Sequence, residues 1–282
     1  MKPFRIAIAL ALGLLFATTL AAEPLTLLDG GGLVLRFINT NAPSVSLGTV
    51  PVTGLLPGEH LAAIDYRPST GVLYGVGVIE SGEARLYTIN TITGFATRVG
   101  SGAFHPSIGF SPIGMDFNPV VDRIRIISNS GLNLRVNPND ASVISDTRPA
   151  FAPGDPHSAN FPLSLAYSNN YPGATSTTLY GIVSGNGGFL ATIGSVNGTP
   201  VSPNSGQMFT VGQIGWGGYF SLQQGFDISA AGGAYIVVDN NNVLYSIDLA
   251  TGAGTSLGQF PAGSVVSDLS VPAVPFRRRA VR

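Results

Sequence analysis

The stretch Gly109–Pro138, GFSPIGMDFNPVVDRIRIISNSGLNLRVNP, decides how the rest of the chain is read. It opens with an apolar run carrying Asp116, turns at Asn118-Pro119, alternates through Arg123–Ser128, turns again at Asn129–Gly131 and alternates once more through Asn133–Asn137. A period of two, interrupted by Asn, Pro and Gly, marks short half-buried strands joined by tight turns. The opening returns in altered form as AIDYRP, LAYSN, GFDIS and SDLSV, so one β unit is restated along the chain.

Working outward, the unit before this stretch contains Leu61–Tyr66, Val72–Val78, Arg85–Asn90 and Ala96–Gly100, and the quoted unit ends at Ser142–Ser145. A third comprises Ser164–Tyr167, Thr178–Val183, Phe189–Ile193 and Met208–Val211, with insertions at Ala150–Pro162 and Asn197–Gly206. A fourth comprises Gly225–Ser229, Ala234–Val238, Val243–Asp248 and Thr255–Gly258. Asp65, Asp116, Ala166, Asp227 and Asp268 are separated by 51, 50, 61 and 41 residues, the period of four-stranded propeller blades with variable loops. Val265–Val271 reads as an inner strand with nothing after it. Leu33–Ile38 and Val45–Val50 read as outer strands without an inner one, and Pro24–Leu28 supplies a second strand. Joined, the two ends complete a fifth blade and hide both open edges. The expected fold is therefore all-β, a five-bladed β-propeller closed by pairing of N- and C-terminal strands. The rival architectures are an open stack or a pair of β-sandwiches.

Composition agrees with many turns and few solvated helix faces: 37 Gly and 20 Pro, against 10% charged residues in 282. Residues 1–22 read as a signal peptide, with Lys2 and Arg5 ahead of the apolar run Ile6–Leu20 and small residues for cleavage near Ala21 or Ala22. The expectation is a secreted or periplasmic protein with no transmembrane anchor after signal removal, a single domain over 23–271 and a basic tail over 272–282. The absence of cysteine removes thiol nucleophiles, iron–sulfur clusters and thiolate zinc sites. Without the leader, 12 Arg and no Lys face 15 acidic residues, four of the Arg lying in Arg277–Arg282. That balance, with no basic stripe, argues against nucleic acid as a partner. The tail reads as a solvated terminus.

The combination PGEHLAAIDYRPSTGVLYGVG, RLYTINTITGFATRVG, GMDFNPVVDRIRIIS, NLRVNP and LYSIDLATGAGTSLG resembles the bacterial DUF4394 family of exported or surface-associated proteins, over about Leu33–Leu269. The resemblance implies a repetitive β domain and transfers no catalytic set. LAYSN departs from the pattern by placing Ala166 where an Asp is expected, which weakens a symmetrical acidic ring.

Two readings of the recurrent acids compete. Inner propeller strands converge on the central channel, so Asp65, Asp116, Asp227 and Asp268 can present oxygen ligands to Ca²⁺ or Mg²⁺, and His60, His105 or His157 can complete a hydrolytic centre acting on lactone or phosphate esters. Alternatively each Asp accepts backbone N–H bonds and fixes blade to blade, with Arg123 or Arg125 as a charge partner for Asp116. The structural role is the preferred reading. No Gly-x-Ser-x-Gly elbow or phosphate loop accompanies them, and no motif identifies a cofactor. The Leu-Tyr pairs ending in Tyr74, Tyr87, Tyr180 and Tyr245 read as blade packing. Trp216, Tyr219, Phe220 and Gln223, in the loop Gly215–Gln224, join Tyr171 as candidate ligand-binding residues on one rim, beside the two insertions of the third unit. Apolar rings among neutral amides suit a neutral glycan or an extended peptide, so the main functional reading is a binding or interaction scaffold.

Overall fold

The computed structural model describes residues 22–109, 113–158, 160–185, 187–215, 224–238 and 242–273. The leader, the aromatic loop at 216–223 and most of the basic tail lie outside the described residues. No helix among those described is long and apolar enough to cross a membrane.

The chain begins with β1 (Pro24–Asp29), β2 (Val34–Asn39) and β3 (Gly48–Pro51), three antiparallel strands without an inner neighbour of their own. Four strands then form the first full blade: β4 (His60–Tyr66), β5 (Leu73–Val78), β6 (Ala84–Ile89) and β7 (Ala96–Val99). The second is β8 (Ile113–Asn118), β9 (Arg123–Ser128), β10 (Asn133–Val136) and β11 (Val143–Ser145). A short β12 (Ala150–Phe151) precedes the third blade, β13 (Pro162–Tyr167), β14 (Leu179–Val183), β15 (Phe189–Ile193) and β16 (Gln207–Gln213). The fourth is β17 (Gln224–Ile228), β18 (Ala234–Val238), β19 (Val243–Ile247) and β20 (Gly254–Gln259). Last comes β21 (Asp268–Ser270), which pairs with β1 in the register Thr26↔Ser270, Leu27↔Leu269 and Leu28↔Asp268 and completes the fifth blade.

The inner strands touch in the cycle β4, β8, β13, β17, β21 and back to β4, so the ring is closed. Five hydrophobic clusters fill the gaps between neighbouring blades. Leu61, Ile64 and Leu73 join Leu28 and Leu35 between the fifth and first, and Tyr235 and Leu244 join Leu25 and Leu269 between the fourth and fifth. The strands nearest the axis are not half-buried as alternation suggests: Leu73–Val78, Pro162–Tyr167, Leu179–Val183 and Ala234–Val238 are buried along their whole length, because each blade has a neighbour on either side. Inner strands approach so closely that two positions require glycine. A Cβ on Gly114 would lie 2.7 Å from Leu165 Cγ, and one on Gly225 would lie 2.5 Å from Asp268 Cα.

The five-bladed reading and the terminal closure thus agree with the architecture. Ala150–Phe151 differs, since an insertion expected as loop adds a parallel fifth strand beside β16. That pairing brings the two insertions of the third unit together, with Thr147 N–H donating to Asn204 O and Ala150 N–H to Gly206 O. Among the Leu-Tyr pairs, Tyr74 stacks edge-on against Phe117 with centroids 5.1 Å apart, and the Tyr87 hydroxyl donates to buried Glu59.

Candidate metal centre at the propeller hub

Asp65 in β4, Asp116 in β8 and Asp227 in β17 meet at the axis. One carboxylate oxygen from each lies within 4.8 Å of the others, and each residue is 1% exposed. Every one of these aspartates also takes part in a relay between blades. Asp65 Oδ2 accepts from Phe117 N–H of the second blade (2.7 Å) and Asp116 Oδ1 from Tyr167 N–H of the third (3.1 Å). Asp227 Oδ2 accepts from Val271 N–H of the fifth (2.6 Å) and Asp268 Oδ2 from Ile64 N–H of the first (2.8 Å). Three also cap their own successor: Asp65 Oδ1 receives Tyr66 N–H, Asp227 Oδ1 receives Ile228 N–H and Asp268 Oδ1 receives Leu269 N–H.

The relay identifies the equivalent position in every blade. Phe117 and Tyr167 directly follow Asp116 and Ala166, and the corresponding acceptance from Val271 makes Ser270 the fifth blade's member of the ring. The ring is therefore Asp65, Asp116, Ala166, Asp227 and Ser270. Asp268 stands two residues earlier on the same face of its strand, outside the close triad and with both oxygens bonded to backbone. Ser270 was missed because a hydroxyl at the right parity carries no signal beside a carboxylate two residues away. Its Oγ lies 2.8 Å from Asp65 Oδ1 and 3.0 Å from Asp227 Oδ2, and a single hydroxyl proton serves one of them at a time.

Asp116 is the exception to full satisfaction. Its Oδ2 is buried without a hydrogen-bond partner. The charge partner expected from Arg123 or Arg125 is not there: Arg125, directly across the ladder, turns to Asp146, Asn133 and Asn204, and Arg123 donates to the Asp122 carbonyl. None of the ion pairs among the described residues involves a hub carboxylate. Burial pushes Asp65 and Asp116 well above the ordinary carboxylate range, reinforced by the negative charge of their neighbours. Burial also lifts Asp268, and it brings Asp227 to about 7 against the backbone bonds that lower it. Three such groups buried side by side hold either protons or a cation.

Of the expected rim residues, Tyr171 is 41% exposed on the turn after β13, while Trp216, Tyr219, Phe220 and Gln223 lie outside the described residues. Among the described residues no histidine joins the three hub acids; His157 Nδ1 instead lies 2.9 Å from Thr210 Oγ1 on β16, whose hydroxyl donates to Asp155.

Five units, four of four strands and one of five, closed around a carboxylate-lined axis define a β-propeller. Within that class the chain matches the family described as "Domain of unknown function (DUF4394)" over residues 34–270, and it belongs to that family. A comparison with proteins of curated function finds no match. Similar solved structures include a protein of unknown function from Bacteroides thetaiotaomicron, at 15% identity and TM-score 0.49, covering 84% of this chain and 58% of that one. TolB from Acinetobacter baumannii is 12% identical with TM-score 0.48, covering 84% of this chain and 53% of its own. A protein of unknown function from Bacteroides caccae is 11% identical with TM-score 0.40, covering 86% and 74%. At these identities nothing of those proteins' activities transfers.

Proposed function

We propose that this protein is an exported β-propeller binding scaffold whose hub is held by one divalent cation of calcium size, bound by Asp65, Asp116 and Asp227. The observation that carries this reading is Asp116 Oδ2, a buried oxygen with no donor, on a carboxylate grouped with two others and with no cationic side chain among their partners. An all-oxygen donor set suits hard cations. Ca²⁺ accepts irregular, flexible coordination, whereas Mg²⁺ demands a near-ideal octahedron, and carboxylates already fixed by backbone N–H bonds favour the more tolerant ion. Such an ion would tie together the first, second and fourth blades, a role compatible with side chains only 1% exposed. Export rests on the pattern of the leader.

A metal-dependent hydrolase would share the same ion. Catalysis needs a coordination position that a substrate can reach, so turnover of lactone or phosphate esters is the second reading and is separated by assay. The test is calorimetric titration and thermal unfolding of chelator-treated protein with Ca²⁺ and Mg²⁺. One Ca²⁺ per chain is expected, with stabilisation of about 4 kcal/mol when free ion exceeds Kd about a thousandfold. Asp116→Asn should fold and lose both responses. No response of the wild type to any divalent ion, or a full response retained in Asp116→Asn, overturns the hub site; cation-dependent ester hydrolysis lost in Asp116→Asn moves the reading to an enzyme.

A further inference from the structure

We infer that the seam between the second and third blades binds a small carboxylated ligand of the sugar-acid type. A cleft of about 370 Å³ opens there, lined by Arg123, Arg125, Arg135, Asn118, Tyr167 and Asn204, among others. That volume falls in the range of small-molecule sites. Three of the eight arginines between residues 23 and 273 converge on this one place, in a stretch without lysine. The acid that meets them is Asp146, which accepts from Arg125 Nη1 (2.6 Å) and from Arg135 Nε and Nη2 (2.7 and 2.9 Å). Asp122, the other acid beside Arg123, is held by Arg67 across the neighbouring seam. One carboxylate thus answers two guanidinium groups, while Arg123 feels the charges of Asp122 and Asp140 without closing an ion pair to either.

The three arginines differ in task. Arg125 is 2% exposed and fixed by Asn133 (2.7 Å), Asp146 and Asn204 (2.6 Å), with the Tyr167 hydroxyl at 3.4 Å, so it forms a rigid back wall. Arg135 keeps its Nη1 outside the pair with Asp146, and Arg123 makes one bond, from Nη1 to the Asp122 carbonyl at 2.9 Å. Their remaining N–H groups line the cleft, and a planar carboxylate is the ligand group that matches a guanidinium fork.

The neutral groups argue for a hydroxylated body behind that carboxylate. Asn118 Oδ1 accepts from Val120 and Val121 N–H, and Asn204 Oδ1 accepts from Arg125, so both amides have their NH₂ groups left to donate. With Ser202 and the apolar flanks of Ile124 and Pro203 they make a wall that a bare inorganic anion would not use and a pyranose ring would. This site does not depend on an ion at the hub.

The test is calorimetric titration of the mature chain with glucuronate, glucose and inorganic phosphate, in chelator and in Ca²⁺. Glucuronate should bind in both conditions, phosphate more weakly, and glucose not at all. Arg123→Gln and Arg135→Gln should each weaken glucuronate by about ten- to a hundredfold, the loss of one charge-assisted hydrogen bond. Arg123→Gln removes one hydrogen bond, to a carbonyl, and a solvent-screened attraction to Asp122 and Asp140, and should melt close to the wild type, which keeps the comparison interpretable if Arg135→Gln misfolds. Absence of glucuronate binding, affinity unchanged in a folded Arg123→Gln protein, or tighter binding of phosphate than of glucuronate would each overturn the assignment.

Discussion

The seam between the first and second blades and the seam between the second and third start from the same parts and are finished differently. At both, an inner-strand aspartate accepts the N–H that follows the next blade's ring position, Phe117 for Asp65 and Tyr167 for Asp116. At the first seam Asp65 also receives Tyr66 N–H and the Ser270 hydroxyl, and Arg67 crosses to Asp122 and Asn139. Among the described residues, fifteen buried ones form the apolar cluster there, against six between the second and third blades. At the second seam Asp116 keeps an oxygen without a donor, and the cleft beside it carries arginine N–H groups not committed to the fold. Where a repeat leaves its own bonding incomplete, a ligand has something to complete.

The largest effect that would test this contrast is on stability in chelator. Asp65→Ala strands Phe117 N–H and takes away one of the two acceptors open to Tyr66 N–H and to the Ser270 hydroxyl, and is expected to cost about 2–4 kcal/mol, whereas Asp116→Ala strands Tyr167 N–H alone and should cost about 1–2. Urea denaturation of the two variants measures the difference, and equal losses would erase the distinction between the seams.

A smaller effect per unit of pH sharpens the picture at the hub. A carboxyl whose pKa is higher folded than unfolded retains its proton in the native state. Its stabilisation is therefore full below the unfolded value and lost as pH rises through the folded one. With Asp227 lifted to about 7 by burial, chelator-treated protein should lose stability between pH 4 and 7. The slope should reach at most about 1.4 kcal/mol per pH unit for each retained proton. Asp116→Asn should make the slope shallower, and a flat profile in the wild type would show that the hub does not hold protons.

The smallest expected effect compares arginines. Arg67→Gln should cost about 1 kcal/mol, because Asp122 is partly solvated and screens the loss, while Arg123→Gln should cost about 0.5 kcal/mol or less. Chemical denaturation of both distinguishes an arginine that fastens two blades from one that waits on a ligand; a costlier Arg123→Gln would reverse their roles.

Architecture was legible in the sequence because strands of period two and turn dipeptides are local signals, and because SDLSV and the orphan pair before Pro51 each lacked what the other had. The hub was legible as far as the recurrent Asp. The step from Asp268 to Ser270 was not, since both share one face and only the bonds at the hub, from Val271 and Tyr66 and around the Ser270 hydroxyl, tell them apart. Arg125, Asp146 and Asn204 form no motif: they are distant in sequence and meet only after two blades pack and a parallel strand at Ala150–Phe151 draws the insertions together. Arg125 faces Asp116 across the ladder, which made it the natural charge partner, and the chain instead engages it with Asp146.

The pairing of Thr26 with Ser270 joins points separated by nearly the whole described chain. Ser270 also supplies the hydroxyl between Asp65 and Asp227, so the fifth ring position cannot form until synthesis has passed it. Contacts of such long range are formed late and slowly. Through most of its production this polypeptide is a set of blades with an unclosed edge on each side. Losing the last strand therefore opens the ring and unbuilds the hub in one step.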